Sequence, residues 1–474
     1  MKNLTDYIRS INPQLLRLIP GKVGDLIKTI QANNFLSEAA LIAHICGSDR
    51  PRKYYLNLKS EAVKILQALM MVSTSKEDGE VKKKLDFCRK NFAVGQKFLG
   101  KGVQEEGLRL IKQAHRIAVE YDFVHLASEL SSVLYYHYAF YERNKRLANG
   151  YAEQVDHYCE SYRNEKKAEY HLYQVIADLD ATLKPLEIKQ ALDSVIALDG
   201  DSLRYRTCLK MLYVIYGFNI GDYRLVLDQC QSTIEFLVDK KGVYRSHYFF
   251  FYNNMAIAQI ALKRPSDAAQ NLALASRYAH VRTINEKLVF LYQTINAHNA
   301  GQYDQAYALY RAHRKCKFER IRQQFAIIEA YLCFLAHLGY LQLEGKFRIG
   351  KYLNDTFKAQ SDKCGSNISI IIAELLVYLA RNRGKFIDRI EAVNNYSYRH
   401  LKSEDTKRAK RFIKILCLLP RANFKAPALQ RIAARQIRYL EEHPIRMGNN
   451  VSIEIIPFED LLAMILSKLE RKVA

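Results

Sequence analysis

A turn that returns about every forty residues is the strongest constraint in this 474-residue sequence. Gly221-Asp222-Tyr223 separates two stretches of helical apolar spacing. A small or turn-forming residue followed two positions later by an aromatic or a proline recurs as Lys263-Arg264-Pro265, Gly301-Gln302-Tyr303, Gly345-Lys346-Phe347 and Gly384-Lys385-Phe386. The intervals are 42, 38, 44 and 39 residues. Weaker turns at Gly102 and Asn144 extend the series upstream, and Leu183-Lys184-Pro185 fills the gap before Gly221. A fixed period means one supersecondary unit built many times. Such units must stack, because none buries its apolar face alone.

Helix is the element expected between the turns. The chain holds only 20 Gly and 9 Pro, and residues that favour helix are abundant. The main β-branched, bounded stretch is 451–456, read as a possible short extended piece. Five residues after each turn come Val226, Ala268, Ala306 and Gly350, with Arg389 as the exception. Small side chains there let two antiparallel helices approach, and the turn aromatic closes the end of the pair.

Tyr252-Asn253-Asn254-Met255-Ala256, then Lys263-Arg264-Pro265-Ser266-Asp267-Ala268, then Leu272 and Ala275, resemble a tetratricopeptide (TPR) repeat. Phe290, Gly301-Gln302-Tyr303-Asp304-Gln305-Ala306 and Tyr310 form the next best match. The resemblance spans roughly residues 81–400 and implies an all-α, TPR-like α-solenoid of about eight antiparallel helix pairs. The period, near 40 against the family's 34, implies longer helices or loops. Residues 1–80, with helical patterns at 23–30, 37–46 and 61–72, are expected to form an N-terminal helical cap. Residues 401–474 are expected to form a basic C-terminal cap ending in an amphipathic helix from about 458 to 472, since exposed ends of stacked repeats need covering. The resemblance also marks Asn254. Its place matches the first-helix asparagine that, in peptide-binding members, faces the concave surface and bonds the peptide backbone, and an amide can both donate and accept. The matched positions in neighbouring units, Leu212, Tyr292, Ala336 and Leu375, are not polar, so a full carboxylate clamp is not implied.

The formal net charge of +23 makes an anionic partner plausible and says nothing of fold. Two clusters concentrate it. Arg311, Arg314, Lys315, Lys317, Arg320 and Arg322 oppose only Glu319 within twelve residues. Residues 402–438 hold eleven cations against Glu404 and Asp405, including Lys407-Arg408-Ala409-Lys410-Arg411. At helical spacing Lys407, Arg411 and Lys414 share a face, as do Arg431, Arg435 and Arg438. Such stripes suit phosphates or an acidic peptide, and ordinary solvated helix faces look similar. The dense aromatic runs at 134–141 and 248–252 are expected chiefly to pack against neighbouring helices.

Nothing in the chain assembles a catalytic signature. The 13 His are scattered, and HExxH, Walker A, GxGxxG and GxSxG patterns are missing. Nine Cys, none in a CxxC, give no metal site, no disulfide scaffold and the expectation of reduced thiols. Met1 to Arg9 lack the apolar stretch of a signal peptide, and the most apolar segment, 368–380, is too short to span a bilayer and carries Glu374. A cytoplasmic, non-enzymatic scaffold without cofactor or metal is therefore expected. It would bind an acidic protein segment in the groove of the solenoid, or, alternatively, single-stranded RNA or DNA on its basic stripes.

Overall fold

The computed structural model describes residues 8, 13–17, 19–32, 38–47, 51–72, 79–177, 185–345, 347–350, 352–353, 366–401, 406–443, 445 and 454–470. Every regular element among them is a helix. In chain order these are α1 (Pro13–Leu16), α2 (Gly21–Ala32), α3 (Glu38–Cys46), α4 (Arg52–Val72), α5 (Glu80–Gly100), α6 (Gln104–Glu120), α7 (Val124–Tyr136) and α8 (Lys145–Ala177). Then come α9 (Pro185–Ile196), α10 (Leu203–Ile220), α11 (Tyr223–Val238), α12 (Arg245–Ala261), α13 (Pro265–Tyr278), α14 (Ile284–Asn299) and α15 (Tyr303–His313). The last are α16 (Glu319–Leu338), α17 (Ser366–Arg381), α18 (Arg383–His400), α19 (Lys407–Leu418), α20 (Ala426–Glu442) and α21 (Phe458–Glu470). The chain divides into two compact units, Met1–Arg163 and Asn164–Ala474. The division falls inside α8, where no turn or change of composition marks it in the sequence.

In the first unit α2 and α3 each pack on α4, around Leu26, Ile27, Leu41, Tyr55, Ala62 and Leu66. The apolar spacings read at 23–30, 37–46 and 61–72 lie in these three helices, except that residue 37 falls outside the described residues. Next, α5, α6 and α7 pack in succession. Two glycines let α5 and α6 meet closely. A Cβ on Gly107 would stand 3.0 Å from the backbone nitrogen of Leu99, and one on Gly95 would stand 3.1 Å from the carbonyl oxygen of Gly107. Beyond α7 a π-helical turn, His137–Tyr141, leads to Asn144, whose Oδ1 accepts from the Leu147 amide at 3.1 Å and so caps α8. The expectation that the aromatic run 134–141 packs inward holds for only part of it. Leu134, His137 and Tyr138 are buried, whereas Tyr135, Tyr136, Phe140 and Tyr141 are exposed. Tyr136, Phe140 and Tyr141 pack on one another instead, the rings of Phe140 and Tyr141 lying 4.7 and 6.0 Å from that of Tyr136.

In the second unit each helix from α9 to α21 packs on the next. Local chemistry sets the breaks between them. Ser202, Asp222 and Asn382 accept from the backbone amides of Tyr205, Leu225 and Lys385, capping α10, α11 and α18. Pro265 sits in the first turn of α13, where its missing N–H costs nothing. Gly221 and Gly301 end α10 and α14 in left-handed backbone, φ 77° and 71°, which glycine adopts without strain. Val226, Ala268 and Ala306 are fully buried behind these turns, and a Cβ on Gly217 would stand 2.8 Å from Val226 Cγ2.

Two of the expected turns shift. After α16 the left-handed residue is Gly339 (φ 91°), so the helix ends before Gly345; that glycine lies in non-helical chain, and Gly350 is exposed instead of packed. Gly384 lies inside the first turn of α18, because Asn382 is the cap. Leu183 and Lys184 fall outside the described residues, as do 451–453 of the extended piece; residues 454–457 form no strand.

Individual residues near the C-terminus reach the turns themselves. Tyr223 Oη donates to the Ile445 carbonyl at 2.7 Å, and Asn299 Nδ2 donates to that of Ile455 at 3.0 Å. Lys263 Nζ pairs with Glu459 at 3.0 Å and Asp460 at 3.3 Å. All three partners lie at or beside the recurring turns. The final helix, α21, then buries Phe458, Leu461, Leu462, Ile465 and Leu469.

Candidate functional site

The alternate helices α10, α12 and α14 each carry a set of incompletely buried side chains on one face. On α10 these are Arg206, Lys210 and Tyr213; on α12, His247, Phe250 and Asn254; on α14, Lys287, Phe290 and Gln293. Spacings of three and four keep each trio on one face. Lys210 donates to Gln229 at 2.8 Å, and burial lowers its pKa. Burial also lowers that of His247 to about 4, with Arg204 adding to the effect. Phe290 stacks on His313, ring centroids 3.4 Å apart, with the Lys287 ammonium 5.4 Å from its ring. Asn254 is half-buried and its Nδ2 donates to the Phe250 carbonyl at 2.8 Å, which leaves Oδ1 as an acceptor. Of the matched positions, Leu212 and Leu375 are buried, while Tyr292 and Ala336 are partly exposed.

The first basic cluster lies on the surface where α15 ends and α16 begins. Arg311 pairs with Glu344 at 2.6 Å and sits over the Tyr307 ring, and Arg322 pairs with Glu319 at 2.9 Å. The Arg314 guanidinium and the Lys317 ammonium stand 5.8 and 5.3 Å from the rings of Tyr310 and Phe318. Lys315 is exposed and meets no partner among the described residues. Exposed Arg320 acts on Tyr292, whose hydroxyl burial raises to about 12 against the pull of that charge.

The second cluster does not form one surface. Arg408 is buried and bonds Glu454 at 2.7 and 2.9 Å, Glu459 at 2.6 Å, the Leu440 carbonyl at 2.7 Å and the His443 carbonyl. It is therefore a structural charge and not a ligand contact. Burial pushes the Glu454 carboxyl up against the attraction of Arg408; at Glu459 burial pushes the same way, but the Arg408 charge together with hydrogen bonds from the backbone, Lys263 and Arg408 holds its pKa low. Lys407 is half-buried, Lys410 donates to the Leu401 carbonyl at 3.0 Å, and Arg411 lies 5.2 Å over the Tyr439 ring of α20. The free cations lie elsewhere. Lys414, Arg421, Lys425, Arg431, Arg435 and Arg438 are exposed and meet no partner among the described residues.

The role of Arg408 does not emerge from charge spacing, although a signal for it is present: Arg408 falls in register with Phe412, Ile415 and Leu416, the buried face of α19. Its acidic partners, 46 and 51 residues away, leave no local signal. Among the described residues no group of three or more His, Cys, Asp or Glu stands where it could hold a metal ion, and no helix is long and apolar enough to cross a membrane. A cavity of about 420 Å³ beside Ala261, Lys263, His443 and Glu459 has its Lys263 and Glu459 already engaged in ion pairs. Compared with family models and with curated proteins, the chain matches neither a family nor an individual relative.

Proposed function

We propose that the protein is a non-catalytic, TPR-like scaffold that holds an acidic protein segment against the first-helix faces of its second unit. One observation carries this reading. Besides the packing of successive helices, α10 touches α12, α12 touches α14, and α14 touches α16. Contact between alternate first helices is what a solenoid of antiparallel pairs requires, with these helices forming the closer-packed inner row. Their partly exposed faces then line a continuous groove. Phe250 and Phe290 offer ring surface, Asn254 Oδ1 accepts a backbone amide, and Lys210 and Lys287 favour acidic side chains. The abundance of buried thiols suits a reducing compartment such as the cytoplasm.

The full chain, immobilised and exposed to nuclease-treated extract of its native host, is expected to retain a protein at low salt and release it as salt rises. Asn254→Ala is expected to weaken retention by about tenfold, the worth of one hydrogen bond to a partner backbone, with the helical circular dichroism unchanged. A partner held equally by Asn254→Ala, or one insensitive to salt, would refute the groove.

A further inference from the structure

Charge on this chain is not spread evenly. Residues 406–443 carry ten Lys and Arg against two acids, Glu441 and Glu442: a net +8 of the total +23 in 38 residues. Between Lys407 and Arg438 there is no acid at all. The structure turns one of these ten cations, Arg408, inward to meet carboxylates and leaves the exposed ones of α20 unmet. Arg431, Arg435 and Arg438 stand at i, i+4 and i+7, a single row along one face of α20. At 1.5 Å per residue the row is about 10 Å long. Arg411 of α19 joins its flank, since it covers Tyr439, the residue one turn after Arg435. The row ends at Glu442.

We propose that this face of α20 is a nucleic-acid backbone site, gripping consecutive phosphates with Arg431, Arg435 and Arg438. The form of the surface selects the ligand. It is a line of guanidinium forks, each able to meet a phosphate in bidentate fashion. Beside them stand Gln430, Ala434 and a single exposed apolar side chain, Ile432, with no exposed ring to take a base. Tyr439 is occupied on its faces, stacked on His443 at 3.8 Å and covered by Arg411. A ligand that fits must supply regular negative charge without needing an apolar pocket, which describes a phosphodiester chain better than an acidic peptide. Binding is accordingly sequence-independent. This site is separate from the groove and stands or falls without it.

The test is fluorescence anisotropy of the full chain with labelled single-stranded RNA, single-stranded DNA and duplex DNA of about twenty nucleotides, over a salt series. Expected is binding at about 50 mM salt whose log K falls linearly with log salt. The Arg431→Gln/Arg435→Gln/Arg438→Gln variant should bind at least about tenfold more weakly, its slope flatter by about 0.7–0.9 for each phosphate it no longer neutralises. All three side chains are exposed and unpaired, so the fold is kept; Arg435→Glu alone should move affinity in the same direction. The Arg311→Gln/Lys315→Gln/Arg322→Gln variant, which removes the same charge elsewhere, should bind like the wild type. An absence of binding at low salt, equal weakening in both triple variants, or displacement by poly-glutamate at matched charge would each overturn the proposal.

Discussion

At the scale of single residues, the second unit holds a group that is costly to charge. His298, 1% exposed at the end of α14, has no hydrogen-bond partner for either ring nitrogen among the described residues, and burial drives its pKa down to about 3. The imidazole is neutral in the folded chain. Once unfolded it titrates near 6.5, so the unfolded state binds the extra proton between those values and stability falls as the pH falls below about 6.5. Each pH unit below that point costs about 1.4 kcal/mol, or about 2 kcal/mol between pH 7 and pH 5. Urea midpoints at the two values should show this drop in the wild type and a smaller one in His298→Leu. Equal drops would mean that the imidazole finds a partner. Single residues also set what a sequence can disclose. Lys263 and Gly301 are legible as turn residues because turn chemistry is local. Gly345 misleads because Gly339, six residues earlier, takes the left-handed position first.

Elements are joined here by contacts that no local pattern announces. Ile445, Ile455 and Glu459 meet turns as much as 222 residues away in sequence, through Tyr223, Asn299 and Lys263. Only the amphipathic spacing of α21 can be read in advance; where it docks depends on the shape of everything before it. Arg408 fastens this part of the chain, joining α19 to Glu454 and Glu459 and to the carbonyls at the end of α20. Removing one member of a buried pair leaves the other charge unmet, which costs about 3–5 kcal/mol. Arg408→Ala should therefore lower the urea midpoint of the second unit and speed amide exchange in 454–470. An unaltered midpoint would show that Glu454 and Glu459 take up water or other partners at no cost. The candidate site is legible to a similar degree. Asn254 emerges from the repeat pattern, while the split of the 407–411 cluster into one inward and several outward charges needs the helix phase and the fold together.

Across the whole molecule, the proposed role of the repeated helices is to provide surface, not chemistry. In that proposal the inner faces of α10, α12 and α14 take a protein segment, and α20 takes phosphates. Both are reached by attraction over distance, so both weaken with salt, yet they lie on different helices and respond to different substitutions. Hydrogen exchange of the full chain, with and without the protein it retains from nuclease-treated extract, separates them most directly. Slowed exchange in Arg245–Ala261 and Ile284–Asn299, absent in Asn254→Ala, is the predicted result; protection confined to Ala426–Glu442 or to the first unit, with those two helices unchanged, would contradict it.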